Sequence, residues 1–434
     1  MDKMADVLGR AGAWCGQNKY LSAIKNAFQN FMPLTIAGAI GVLWCNVLVN
    51  DQTGLGLFFK PIMALDFLNP AFQAVNFCTI SCITVGITLG IAQEIGIWNM
   101  GAEKAGYIPG LVGLAAWLSV TNTSHMVEGA KEAFTGIAGN ELGATGLFTG
   151  MIIGVLSVEL FCFFEKQDAL KIKMPEQVPP GVARAFEVLV PATLTLIITA
   201  CIGSACYNLT GLYLNDVIKN GIQGPLGAVG ATIPGVMIIY LVIMLFWLVG
   251  IHGNNMLSAV KEALFTPLAL ENVEAFNKGE TPKNIINMYF LQMCGEFGGS
   301  GVTIGLVIAI MIFGKREDNK AIAGLSLVPG LFNINETVTF GIPMVLNPIL
   351  GIPFVFACLV TILVGYVLTV IGFCPVACLT VPWTTPPIVF GFLATGANVM
   401  GAVTQAILIV VSTVIYTPFL ISYEKYQNKQ AAEA

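Results

Sequence analysis

The sequence predicts an all-α polytopic membrane protein with nine or ten spans and irregular, re-entrant insertions in its C-terminal half. Three observations predict it. The 434-residue chain is 56% hydrophobic and only 10% charged, with a mean hydropathy of +0.79, whereas a soluble domain carries about 25% charged residues. Apolar windows near the roughly 20 residues needed to cross a bilayer core recur along the whole chain. The third observation is the stretch 331–350, LFNINETVTFGIPMVLNPIL, where Glu336 sits in an apolar segment with Asn333, Asn335 and Asn347. Gly341, Pro343 and Pro348 break the backbone there. A charge at membrane depth is costly, and helix breakers free backbone groups that need partners. Both are tolerated where a segment lines a polar cavity, so Glu336 is expected to face an enclosed polar chamber.

Residues 1–27 carry Lys3, Arg10, Lys19 and Lys25 amid mixed polarity. They read as a cytoplasmic or surface-lying amphipathic helix, not a cleavable signal. Candidate spans follow at 29–49, 75–97, 107–121, 144–164, 185–208, 230–251, 299–314, 352–373 and 398–421. Residues 55–68 are apolar but short and hold Lys60 and Asp66, which suits a tilted or partial span. The polar stretch 165–184 carries Lys166, Lys171, Lys173 and Arg184, which marks it as cytoplasmic. Pro175, Pro179 and Pro180 end any helix there, which gives a domain boundary between 1–184 and 185–434. KREDNK at 315–320, with Lys425 and Lys429, puts a second loop and the C-terminus on the same side. The stretch 271–283, with Glu271, Glu274 and Glu280 against Lys278 and Lys283, is expected outside. GNNMLSAVKEALFTPLAL, which must lead there, is no ordinary span because Lys261 and Glu262 interrupt it. A broken or re-entrant helix pair across 253–297 resolves the conflict, with a second re-entrant hairpin at 331–350.

The net charge of −5 says little, because the few charges cluster in loops, and nothing points to nucleic acid. Eleven cysteines are scattered singly without a CxxC pair, and read as small apolar packing residues rather than metal or redox groups. In WLVGIHGNNML (247–257), His252 ends a long apolar span between Gly250 and Gly253, with Asn254 and Asn255 following. Small neighbours let a ligand approach closely, and an intramembrane histidine more often works than packs. In helical spacing Asn333 and Glu336 share a face, with Phe340 a turn further along. A carboxylate beside an amide and an aromatic ring suits a sugar, whose hydroxyls take hydrogen bonds while its C–H face stacks; the bland alternative is interhelical glue. Trp383 in VPWTTPP is either a rigid aromatic platform or an interfacial anchor. EFGGSGVTIGL (296–306) is a weak phosphate loop without its Gly-Lys-Ser/Thr ending, and close helix packing fits it better. Asn76 opens the second span, and Gln93 and Glu94 close it; Asn76 is kept as a candidate ligand contact. No Ser-His-Asp order, HExxH, paired-Cys metal site or nucleotide motif is present, so neither a cofactor nor ATP on this chain is implied.

The motifs GIHG (250–253), LEN (270–272), GGSGVTIGL (298–306), FNINE…FGIPMVLNP (332–348), PWTTP (382–386) and IKMPEQVPPGVARAF (172–186) stand in order along the chain. Together they resemble the IIC permease subunit of the bacterial phosphotransferase system, lactose/cellobiose/diacetylchitobiose branch. The resemblance implies a homodimer of ten-helix subunits in the bacterial cytoplasmic membrane, with a dimer-forming N-terminal half. The C-terminal half would hold a disaccharide between two re-entrant hairpins. It also implies cytosolic IIA and IIB partners, with a IIB phosphocysteine phosphorylating the sugar C6 hydroxyl. On that reading Glu336 accepts the hydroxyl's hydrogen bond or proton and His252 orients it. Asn333, Asn335 and Asn254 hold other hydroxyls, with Trp383, Phe340 and Asn76 completing the site. The chain departs from the family at Asn335-Glu336-Thr337, where Asn-Glu-Pro is usual, and at Gln93-Glu94-Ile95, where a basic residue often stands.

Two rival readings use the same residues. A proton-coupled secondary sugar transporter would employ Glu336 and His252 as a proton relay. A sugar-lipid processing enzyme would need a metal or nucleotide-sugar site, and the sequence offers none.

Overall fold

The computed structural model describes residues 10, 14, 17–51, 55–125, 134–175, 177–342, 344–345 and 347–433. Pro343 and most of the N-terminal segment, both singled out from the sequence, lie outside the described residues. Most of the rest is helix; among the described residues only Ser124–His125 and Phe134–Thr135 pair as strands. Five described helices are long and apolar enough to cross a membrane, or up to seven if each bent pair is one span. Ile108–Val120 and Ile233–Leu248 are apolar but shorter. The chain is a mostly helical, multi-pass membrane protein. Two expected spans take other forms: 55–68 winds into 3₁₀ turns over Lys60–Leu68, and 299–314 becomes helix only at Ile304–Phe313.

The chain forms two compact units, the first built on residues 17–38 and 74–227, the second on 39–73 and 228–434. In the first, Ile83–Met100, Ile108–Val120, Ala144–Glu165 and Leu189–Thr210 pack as a bundle. Small residues let these helices touch. Gly113 faces Ala92, Gly96 faces Pro109, and Gly150 faces Thr84 and Thr88, the close approach that favours helix association in lipid. Leu196, from Leu189–Thr210, packs against the Trp117 and Ile153 core of the preceding helices. The units therefore do not divide at 184/185. The Pro-rich polar stretch is a crossing between two helices of one unit, and composition marks a loop without saying which helices it joins. Glu165, its side chain 1% exposed, ties that crossing down through Lys104 at 2.8 Å and Arg184 at 3.0 Å.

In the second unit, Ile304–Phe313 lies on Val399–Glu433, with Gly305 against Ser412. The stretch 253–297 is a turn at Gly253–Met256, a helix at Ser258–Asn277, a non-helical run, and a helix at Met288–Gly295. Backbone outside a helix needs partners, and two buried asparagines supply them. Asn272 Nδ2 donates to the Asn284 and Ala377 carbonyls at 2.8 and 3.0 Å. Asn287 Nδ2 donates to Ala377 at 3.0 Å, while its Oδ1 accepts from the Tyr289 and Phe290 amides. Buried Lys261 pairs with Glu296, which also accepts from the Tyr240 hydroxyl at 2.7 Å. The KREDNK stretch is only half a loop: a helix starts within it at Glu317–Leu331, and Glu424 accepts from the Lys315 and Arg316 amides at 2.8 and 3.3 Å.

Candidate functional site

Left-handed glycines shape the loop at the centre of the second unit. Gly298, Gly299 and Gly301 have φ of 68°, 87° and 76°, values that glycine adopts without steric cost. A Cβ on Gly299 would stand 2.5 Å from Asn335 Cγ, and one on Gly301 would strike Phe354. From the opposite side the Tyr416 hydroxyl donates to the Gly301 carbonyl and the Ser412 hydroxyl to that of Val302, each at 2.8 Å. The loop is thus a packing device. Its Gly298 amide, which a phosphate loop would offer to a ligand, donates to Asn333 Oδ1 at 2.6 Å.

Asn333 has φ 62°, a left-handed conformation that Asn tolerates better than most residues. The helix Glu336–Gly341 begins only after that turn. Glu336 and Phe340 share its outer face as expected, but Asn333 does not belong to it, since a left-handed residue cannot sit within a right-handed helix. The Asn333 amide is engaged at both ends, because Nδ2 donates to the carbonyls of Trp383 and, at 3.2 Å, Thr385. Buried Asn335 donates to the Ser300 carbonyl at 2.7 Å. Val338 and Thr339 form the inner face of the helix, which turns Glu336, Thr337 and Phe340 outward. Glu336 is therefore exposed in its own unit rather than enclosed. It makes no hydrogen bond or ion pair with another described residue. Phe340 is 60% exposed and Trp383 46%.

His252 is half-buried, its ring packed on Trp247 with centroids 4.4 Å apart. Its Nδ1 accepts from the Asn255 amide at 3.2 Å, which fixes the tautomer and leaves Nε2–H as the donor. Asn254 Nδ2 donates to Ser300 Oγ at 3.1 Å, and Asn254 Oδ1 is buried without a partner among the described residues. The second unit thus holds every candidate except Asn76, which belongs to the first unit at the end of Asn69–Asn76, its Oδ1 buried and unpaired among the described residues. Among the described residues no group of three or more His, Cys, Asp or Glu could hold a metal. Sequence reasoning missed Ser300 and the Lys261–Glu296 pair. Glu296 abuts the glycine loop in the sequence, but nothing in the spacing ties it to Lys261.

The family model described as "Phosphotransferase system, EIIC" matches residues 25–358. The chain belongs to this family. The oligo-beta-mannoside-specific EIIC component of Bacillus subtilis (strain 168) is 33% identical, over 98% of this chain and 94% of the relative. The cellobiose-specific EIIC component of Lactococcus lactis subsp. lactis (strain IL1403) is 29% identical, over 98% of each chain. The solved transporter ChbC, the IIC component from the N,N'-diacetylchitobiose-specific phosphotransferase system, superposes with a TM-score of 0.88 at 29% identity, covering 97% of both chains. This EIIC chain is accordingly a sugar permease component of the cellobiose, lactose and chitobiose type, a class that acts with IIA and IIB. That membership favours the phosphotransferase reading over a proton-coupled transporter.

Proposed function

We propose that this EIIC chain binds a β-linked disaccharide on its second unit, carries it across the bacterial cytoplasmic membrane by alternating access, and presents its C6 hydroxyl to a phosphocysteine on IIB. The observation that carries the reading is Glu336. It is a carboxylate without a partner among the described residues, on a helix face shared with exposed Phe340 and in the same unit as His252. In the transfer, the sugar O6 attacks phosphorus, the P–S bond to the cysteine breaks, and the O6 proton passes to the Glu336 carboxylate. His252 Nε2–H holds the same hydroxyl in line. Asn254 Oδ1, unpaired among the described residues, accepts from a second hydroxyl, and Trp383 and Phe340 offer stacking faces. Asn333 and Asn335, whose amides serve the protein backbone, frame the site. The product phosphate keeps the sugar inside, since a charged group crosses hydrocarbon poorly.

The reading includes a ten-helix homodimer joined through the N-terminal half, re-entrant hairpins at about 253–297 and 331–350, and cytoplasmic termini. Asn76 is kept as a further proposed sugar contact. The test is a titration of the purified protein with cellobiose, lactose and diacetylchitobiose, followed by mixing with phosphorylated IIB. The expected product is the sugar 6-phosphate, formed only when IIB is present. Uptake of unmodified sugar that needs no IIB and collapses with the proton gradient would contradict the reading.

A further inference from the structure

We infer that Ser300 is a positioning residue for phosphoryl transfer, the fastening that holds His252 and Glu336 in register. The inference rests on the reading of those two residues as the sugar-handling pair. Neither sits on a long helix: His252 precedes the four-residue turn Gly253–Met256, and Glu336 starts a six-residue helix. Their relative placement depends on what pins these short segments. Ser300 pins both. Its Oγ accepts from Asn254, two residues after His252, at 3.1 Å. Its carbonyl accepts from Asn335, immediately before Glu336, at 2.7 Å.

The fastening is itself rigid. Left-handed Gly299 and Gly301 flank Ser300, and Val302 has φ 50°. Thr303 Oγ1 donates to the Gly298 carbonyl at 2.8 Å, and the Gly301 and Val302 carbonyls are held by Tyr416 and Ser412 from Val399–Glu433. Ser300 is 6% exposed and spends its acceptors on Asn254 and Asn335, so it acts through them and not on the sugar. Phosphoryl transfer depends on in-line placement more than on covalent help from the protein. Loosening the His252 turn against Glu336 therefore slows chemistry more than it weakens binding.

The experiment measures sugar affinity by calorimetry and single-turnover phosphorylation by phosphorylated IIB, on full-length protein in lipid. Ser300→Ala should slow transfer by about tenfold or more, as small misplacements of reacting groups do, with sugar affinity changed less than about threefold. Ser300→Thr, which keeps the hydroxyl, should restore most of the rate. In an Asn254→Ala background, Ser300→Ala should add less than about a further twofold, because residues in one chain of bonds are not additive. A wild-type rate in Ser300→Ala, equal slowing by Ser300→Thr, or losses that multiply in the double variant would each overturn the inference. Wild-type transfer by both His252→Ala and Glu336→Gln would instead show that the site reading has failed, a result read without any Ser300 variant.

Discussion

Glu165 and Glu336 both stand at the end of a helix in an apolar chain, and the two units treat them in opposite ways. In the first unit Glu165 ends Ala144–Glu165 with its side chain 1% exposed and with Lys104 and Arg184 upon it. In the second, Glu336 opens a short helix, faces outward, and bonds to no described residue. A carboxylate matched by cations inside the protein is part of the architecture. One left exposed and unbonded to any described residue, beside exposed aromatic rings and broken helices, is available to a ligand. The same contrast runs through the backbone. The first unit packs long helices through small residues, and the second interrupts its helices and fills the gaps with asparagine side chains.

Exchanging the two carboxylates for amides should separate these roles. Glu336→Gln should slow sugar phosphorylation by roughly 10²–10⁴-fold, the usual worth of a positioned acid–base group, while the melting temperature in detergent stays unchanged. Glu165→Gln should do the reverse. Lys104 is half-exposed and Arg184 keeps Glu187 at 2.8 Å, so the loss should be about 1–2 kcal/mol of stability, seen as a lower melting temperature, and the protein that remains folded should phosphorylate sugar normally. Loss of transfer in Glu165→Gln without loss of stability would erase the distinction.

Smaller effects sharpen it. Trp383→Ala should weaken sugar binding by roughly 1 kcal/mol, the scale of an aromatic contact beyond its buried area, and Trp383→Phe should recover part of that affinity in the same titration. The smallest effect is expected far from the site. The Arg316 guanidinium holds the Asp318 carboxyl below its ordinary range, so the pair stabilises above the unfolded value of about 3.9 and the benefit is lost as pH falls through the folded value. Asp318→Asn should therefore melt slightly lower than wild type at neutral pH and match it in strong acid. Both groups are partly solvated, and a surface pair contributes little.

Much of the membrane architecture was legible because apolar runs announce themselves, and Glu336 stood out because a charge in such a run needs a reason. Boundaries were less legible where tertiary contacts decide them. The first long helix starts at Lys19 rather than near 29 because Lys19 meets Glu159 at 2.7 Å and Asn26 meets Glu94 at 2.9 Å, partners that local polarity cannot reveal. Val399–Glu433 runs past 421 as one helix of 35 residues, since polar residues end a span but not a helix. The turn at Asn333 was illegible for a related reason. Spacing assumes a right-handed helix, and the Gly298 amide and the Trp383 carbonyl reward the left-handed alternative.

The most direct test of the central claim, that Glu336 is an acceptor for the sugar C6 hydroxyl, is a calorimetric double cycle. Wild-type protein and Glu336→Gln are each titrated with the preferred disaccharide and with its analogue lacking the C6 hydroxyl on the phosphorylated ring. The predicted result is that the analogue binds wild type more weakly than the parent sugar does, while the variant scarcely distinguishes the two. Equal discrimination by wild type and variant would contradict the account.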